Sequence, residues 1–211
     1  NSDKIYEAKV WREKTNLRLQ NEAIAIKNLK ELIEAKNLDE ETMADANATL
    51  AQAYVAIQSV DSAVAPLRRA AATTGINELK ARYNFILGQL YEKLNKPDSA
   101  SVSYQQVIDM KRKAPRRYVI QAHARQAGQF DLAKGDTLAF MEKYRDLLED
   151  RENRPYLDVI NHQVALFYDK SGNDKEAMKY YNASLRKQGK DRYLVASNHR
   201  NIAEIYFEEA K

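Results

Sequence analysis

Ala81-Arg82-Tyr83-Asn84-Phe85-Ile86-Leu87-Gly88-Gln89-Leu90-Tyr91, followed after a Pro-containing turn by Ala100-Ser101-Val102-Ser103-Tyr104-Gln105-Gln106-Val107, decides the fold. Leu87, Gly88, Tyr91, Ala100, Tyr104 and Val107 run large, small, aromatic, small, aromatic, small. This is the pattern of two helices that meet closely through small residues and fill the remaining space with bulky ones. The frame returns near Ala44, with Leu50, Ala51, Tyr54, Ala63, Leu67 and Ala70. It returns again near Asp158, with Val164, Ala165, Tyr168, Ala177, Tyr181 and Ser184. Three registers agree on a repeat of about 38 residues. One helix pair cannot bury its own apolar face, so such pairs stack. The expected fold is all-α: a right-handed superhelical solenoid of antiparallel helix pairs.

Working outward, the frame divides residues 1–211 into one solenoid with units at about 6–43, 44–80, 81–117, 118–157, 158–195 and 196–211. The first unit is degenerate. Ala25, Leu29 and Leu32 fit its second helix, but Arg12, Glu13 and Asn16 stand where large, small and aromatic residues belong, and Trp11 is expected to supply the bulk. The fourth has a first helix rich in Ala122, Ala124 and Ala127, an irregular connection from Gly128 to Asp136, and a second helix from Leu138 to Leu148. Irregular loops on rigid scaffolds often carry contacts, which makes that connection a secondary candidate site. The last unit supplies Ile202, Ala203 and Tyr206 and then ends, so the expectation is a missing second helix and self-association through the apolar face it would cover.

Composition agrees. Six glycines and four prolines in 211 residues leave little material for an all-β fold, and 44% hydrophobic with 30% charged residues suits a folded chain. With no cysteine there is neither a disulfide framework nor a thiolate site. The net charge of +4 is spread along the chain, unlike the basic stripe of a nucleic-acid binder, so no nucleic-acid partner is expected. No apolar run is long enough to span a membrane, and Asn1 opens on a polar stretch, so any leader is expected to have been removed.

Catalytic chemistry is hard to find. His123, His162 and His199 lie in separate units without metal-pair spacing, the glycines of a phosphate loop are absent, and adjacent acids such as Glu40 and Glu41 point about 100° apart on a helix. We expect no catalytic residue, no metal and no cofactor. The cations Lys111, Arg112, Lys113, Arg116 and Arg117 read as a solvated helix C-terminus. Tyr54, Tyr91, Tyr104, Tyr168, Tyr181 and Tyr206 read as core. Asp61-Ser62-Ala63, Asp98-Ser99-Ala100 and Asp136-Thr137-Leu138 look like a bacterial O-glycosylation sequon but sit where second helices need caps.

The chain as a whole resembles the tetratricopeptide repeat superfamily, most specifically in the units near 44, 81 and 158. A narrower resemblance rests on residues 14–19, 80–91 and 202–207. These runs look like the PorW/SprE-type repeat lipoprotein of Bacteroidota type IX secretion and gliding motility. That likeness implies a non-enzymatic assembly factor at the periplasmic face of the outer membrane, held there by a lipid anchor absent from this chain. The alternative is a peptide-binding sensory region of a cytoplasmic regulator. Either way the expected partner is a protein or peptide on the face lined by first helices. Repeat positions 2, 5 and 9 there are Asp45, Ala48, Gln52, Arg82, Phe85, Gln89, Val159, His162 and Leu166. This set lacks the Lys and Asn array with which chaperone-type repeat clamps hold a C-terminal carboxylate.

Overall fold

First helices of the repeats run 13 to 18 residues and second helices 12 to 14, long enough for their small and bulky positions to form one continuous stripe. The computed structural model describes residues 2–35, 37–187 and 191–210. Among these residues there are eleven α-helices and no strand, and the chain divides into two compact units that meet in sequence at Tyr118 and Val119. The all-α expectation holds.

The first unit contains α1 (Ser2–Arg18), α2 (Glu22–Ile33), α3 (Glu40–Ala56), α4 (Val60–Thr73), α5 (Asn77–Lys93) and α6 (Pro97–Asp109). Three residues separate the helices of each pair, which makes them antiparallel neighbours. At the centre of the α5–α6 pair, Gly88 lies under the Tyr104 ring so closely that a Cβ would overlap it. Ala51 and Ala63 make the matching approach of α3 to α4, both buried with Leu67, Ala70 and Leu87. In the α1–α2 pair the small position holds Glu13, 1% exposed, whose carboxylate accepts from Asn28 Nδ2 of α2, Asn16 Nδ2 and Arg12 Nε. A hydrogen-bonded carboxylate thus replaces the small-residue contact. Trp11 does not supply bulk there: it is 55% exposed beneath the Lys14 ammonium, and Val10 packs against Ala25 and Leu29 instead.

The second unit holds most of α7 (Arg116–Gly128) together with α8 (Thr137–Glu149), α9 (Leu157–Lys170), α10 (Asp174–Lys187) and α11 (Arg192–Glu209). Ala165 and Ala177 give α9 and α10 their close approach, with Tyr181 buried beside them. The irregular connection is an anchored turn. Phe130 packs at a tilt against the stacked Phe140–Phe167 pair, at 4.7 Å from Phe140, while Asp131 closes the following turn through the Ala133 and Gly135 amides. On α11 the buried residues are Asn198, Asn201 and Ile205, whereas Tyr206 is exposed, contrary to its expected place in the core.

Four first helices end alike. Gln20, Gln58, Asn95 and Gly172 adopt left-handed φ of 62°, 60°, 54° and 73° two residues past α1, α3, α5 and α9. The next amide, at Asn21, Ser59, Lys96 and Asn173, donates back to the carbonyl of Asn16, Tyr54, Tyr91 and Tyr168. This closure satisfies orphaned carbonyls and sets the reversal into the second helix. Only Gly172 avoids the strain of a side chain in that conformation. Gln58→Gly should therefore stabilise the chain, because relieving roughly 1–2 kcal/mol of left-handed strain outweighs glycine's extra unfolded entropy of about 0.5–1 kcal/mol. A higher urea midpoint with unchanged slope is the expected result.

Candidate functional site

Successive first helices α1, α3 and α5 enclose a groove of about 790 Å³ in the first unit. Its floor is apolar, with Ala48, Val55, Leu79, Ile86 and Leu90, and its rim is charged. Lys14 Nζ reaches Asp45 Oδ2 at 2.7 Å, tying α1 to α3. Glu41 accepts from the Gly75 amide at 2.6 Å and from Thr74 Oγ1 at 3.0 Å, which fixes the start of α3 against the turn into α5. Asp39 caps α3 through the Thr42 amide, and the Thr42 hydroxyl first and that amide second hold its carboxyl below the usual carboxylate range. The Tyr83 phenol is pushed up to about 12, first by burial and then by the Asp45 carboxylate, with Arg82 opposing. Arg82 itself is exposed and makes no hydrogen bond or ion pair among the described residues. The groove therefore offers an apolar trough with an engaged ion pair at one side and an uncommitted guanidinium at the other.

Of the nine residues expected on the first-helix face, Asp45, Ala48, Gln52 and Arg82 line this groove together. Phe85 does not: its ring packs against Tyr104 and Tyr118, with centroids 5.6 and 5.8 Å away. Gln89 is half-buried outside the lining. In the second unit Val159 packs on the Ile120–Tyr144 cluster and Leu166 on the Ala177–Tyr181 cluster. His162 is buried. Repeat positions 2, 5 and 9 miss one wall, which α5 supplies from positions 3, 6 and 10, namely Tyr83, Ile86 and Leu90. A groove between neighbouring helices needs two faces, and the second was present in the same sequence frame.

His162 belongs to a buried chain whose polarity is fixed at one end. Ser184 Oγ donates to the Asp158 carbonyl at 2.7 Å, so it accepts from Asn198 Nδ2 at 2.8 Å. Asn198 then turns its Oδ1 to His162 Nδ1 at 2.7 Å, and that nitrogen must carry the proton. Nearby, Asn201 Nδ2 donates to the Tyr181 hydroxyl, which donates to Asp169 Oδ2. These bonds tie α11 to α9 and α10 beside the apolar contacts of Ile202 and Ile205. The basic run behaves as a surface feature: Arg117 meets Glu78 Oε1 at 2.7 Å and lies over Tyr118. Among the described residues no three His, Asp or Glu side chains gather as a metal site, and no helix is long and apolar enough to cross a membrane.

The tetratricopeptide repeat family model matches residues 81–113 and 160–186, which are the α5–α6 and α9–α10 pairs. These two helix pairs are tetratricopeptide repeats. Among solved structures, apo NprR, a quorum sensor of B. thuringiensis, is similar with a TM-score of 0.66 at 14% identity, covering 98% of this chain and 60% of that one. YrrB, a tetratricopeptide repeat protein, gives 0.62 at 14% identity over 91% and 90%. BtubC of P. vanneervenii gives 0.61 at 15% identity over 83% and 76%. At these identities the likeness is one of fold. No curated protein matches the sequence.

Burial holds the His162 imidazole below its ordinary value, partly offset by Asn198 and Asp191. A histidine whose folded pKa is depressed takes its proton more readily when unfolded, so stability falls as pH drops through the unfolded value of about 6.5. Urea unfolding at pH 7 and pH 5 should show a loss in the wild type that is smaller in His162→Gln, whose amide retains a donor for Asn198. Equal losses in both proteins would remove His162 from the account.

Proposed function

We propose that this chain is a non-enzymatic scaffold whose first-helix groove holds an extended peptide or the exposed helix of a partner protein. The observation that carries the proposal is the groove itself: an apolar trough about 790 Å³ in volume, walled by α1, α3 and α5, with Arg82 uncommitted at its rim. Apolar side chains of the partner fill the trough, and Arg82 selects an acceptor or acidic group beside them. Two proteins of similar fold support the reading by what they bind. YrrB has an unusual peptide-binding site, and NprR is also known with its cognate peptide NprX.

The runs at 14–19, 80–91 and 202–207 extend the proposal to a place of work: assembly of the type IX secretion and gliding machinery at the periplasmic face of the outer membrane. The NprR likeness favours the second reading, a peptide-sensing region of a cytoplasmic regulator. Cell fractionation separates the two, since the first requires the native protein with the outer membrane and the second requires it in the cytosol.

Selection of a phage-displayed random dodecapeptide library tests the groove. Enriched peptides should bind the double variant Val55→Glu/Arg82→Glu at least tenfold more weakly, with its thermal midpoint unchanged because both side chains are exposed. Peptides that bind wild type and variant alike would place the binding face elsewhere.

A further inference from the structure

Roughly a third of a turn round α5 from that groove, a second one of about 830 Å³ opens between α4 and α6. At its base lies Asn84, 5% exposed, which makes no hydrogen bond among the described residues. The same repeat position holds Asn47 in α3 and Asn161 in α9. Those two are buried as well, but each donates its amide to the carbonyl four residues back, at Met43 (2.9 Å) and Leu157 (2.6 Å). Asn84 makes no such bond and lines the groove, where its amide stays open to what fills the site.

The surroundings specify the ligand. An amide side chain offers a donor and an acceptor side by side, matching the C=O and N–H of a peptide main chain, whereas a lone anion would use only the donor. Leu87, Val102 and Met110 give the groove apolar walls for side chains. Arg68, Lys80 and Lys113 line it as exposed cations with no ion pair among the described residues, while Asp109, one of two acids present, is engaged by Gln105 Nε2 at 2.8 Å. The balance of uncommitted charge is positive.

We propose that this α4–α5–α6 groove is a second peptide site, in which Asn84 pairs with the main chain of an extended segment and Arg68, Lys80 and Lys113 select an aspartate or glutamate side chain in it. It is independent of the first groove, from which it shares no lining residue except α5 itself as a common wall.

Fluorescence polarisation of the whole chain with a labelled, capped octapeptide carrying two glutamates among Ala, Leu and Ser tests the site, against the same peptide with glutamines or lysines. The glutamate peptide should bind at least tenfold more tightly than the glutamine one. Arg68→Glu/Lys80→Glu, both on the surface, should reverse the preference toward lysine, and Asn84→Ala should weaken all three peptides about tenfold, each measured in the Val55→Glu/Arg82→Glu background so that the first groove does not contribute. Should Asn84→Ala unfold, as circular dichroism would show, the surface charge reversal still decides. Equal binding of glutamate and glutamine peptides in that background, an unchanged preference after the charge reversal, or equally good competition by inorganic phosphate or a 20-nucleotide DNA strand would overturn the proposal.

Discussion

Everything in the first unit depends on how closely a first helix can approach its second. Gly88 beneath Tyr104 is the tightest instance, and Ala51 with Ala63 and Ala165 with Ala177 repeat it. Because a side chain at Gly88 would collide with a buried ring rather than a flexible tip, α5 can stand this close to α6 only with glycine at this position. The left-handed closure after α1, α3, α5 and α9 then directs the chain into the second helix, so close approach and turn act together. Packing density and backbone geometry point to the same helix pair.

Position of α5 is also what makes the molecule useful. One side of it walls the groove shared with α1 and α3, and another forms the base of the groove between α4 and α6. Two surfaces of different character therefore arise from one helix: a trough with an engaged Lys14–Asp45 pair, and a groove with the Asn84 amide among exposed cations. Neither needs catalytic chemistry. Both rely on side chains presented by a rigid scaffold.

Sequence made the helix pairs legible because small residues at fixed spacing have few other uses. Gly88, Ala51 and Ala165 marked their contacts directly. Half of the groove was visible by the same frame, since Asp45, Ala48, Gln52 and Arg82 occupy the expected face. The rest was hidden where polar groups replaced apolar ones. Glu13 fills a small-residue position by hydrogen bonding to Asn16 and Asn28, and no periodicity of hydrophobic residues announces that. His162 satisfies the spacing of a groove residue, yet Asn198, thirty-six residues on, draws it inside. Phe130 made an irregular connection part of the core, because a loop's packing depends on partners distant in sequence.

The most direct measurement is urea unfolding of Gly88→Leu alongside the wild type. Overpacking a filled core costs about 1–3 kcal/mol, and in a repeat array the loss spreads to neighbouring helix pairs, so the midpoint should fall and peptide binding should weaken in both grooves walled by α5. An unchanged midpoint would show that the helices are not held by this contact and would contradict the account.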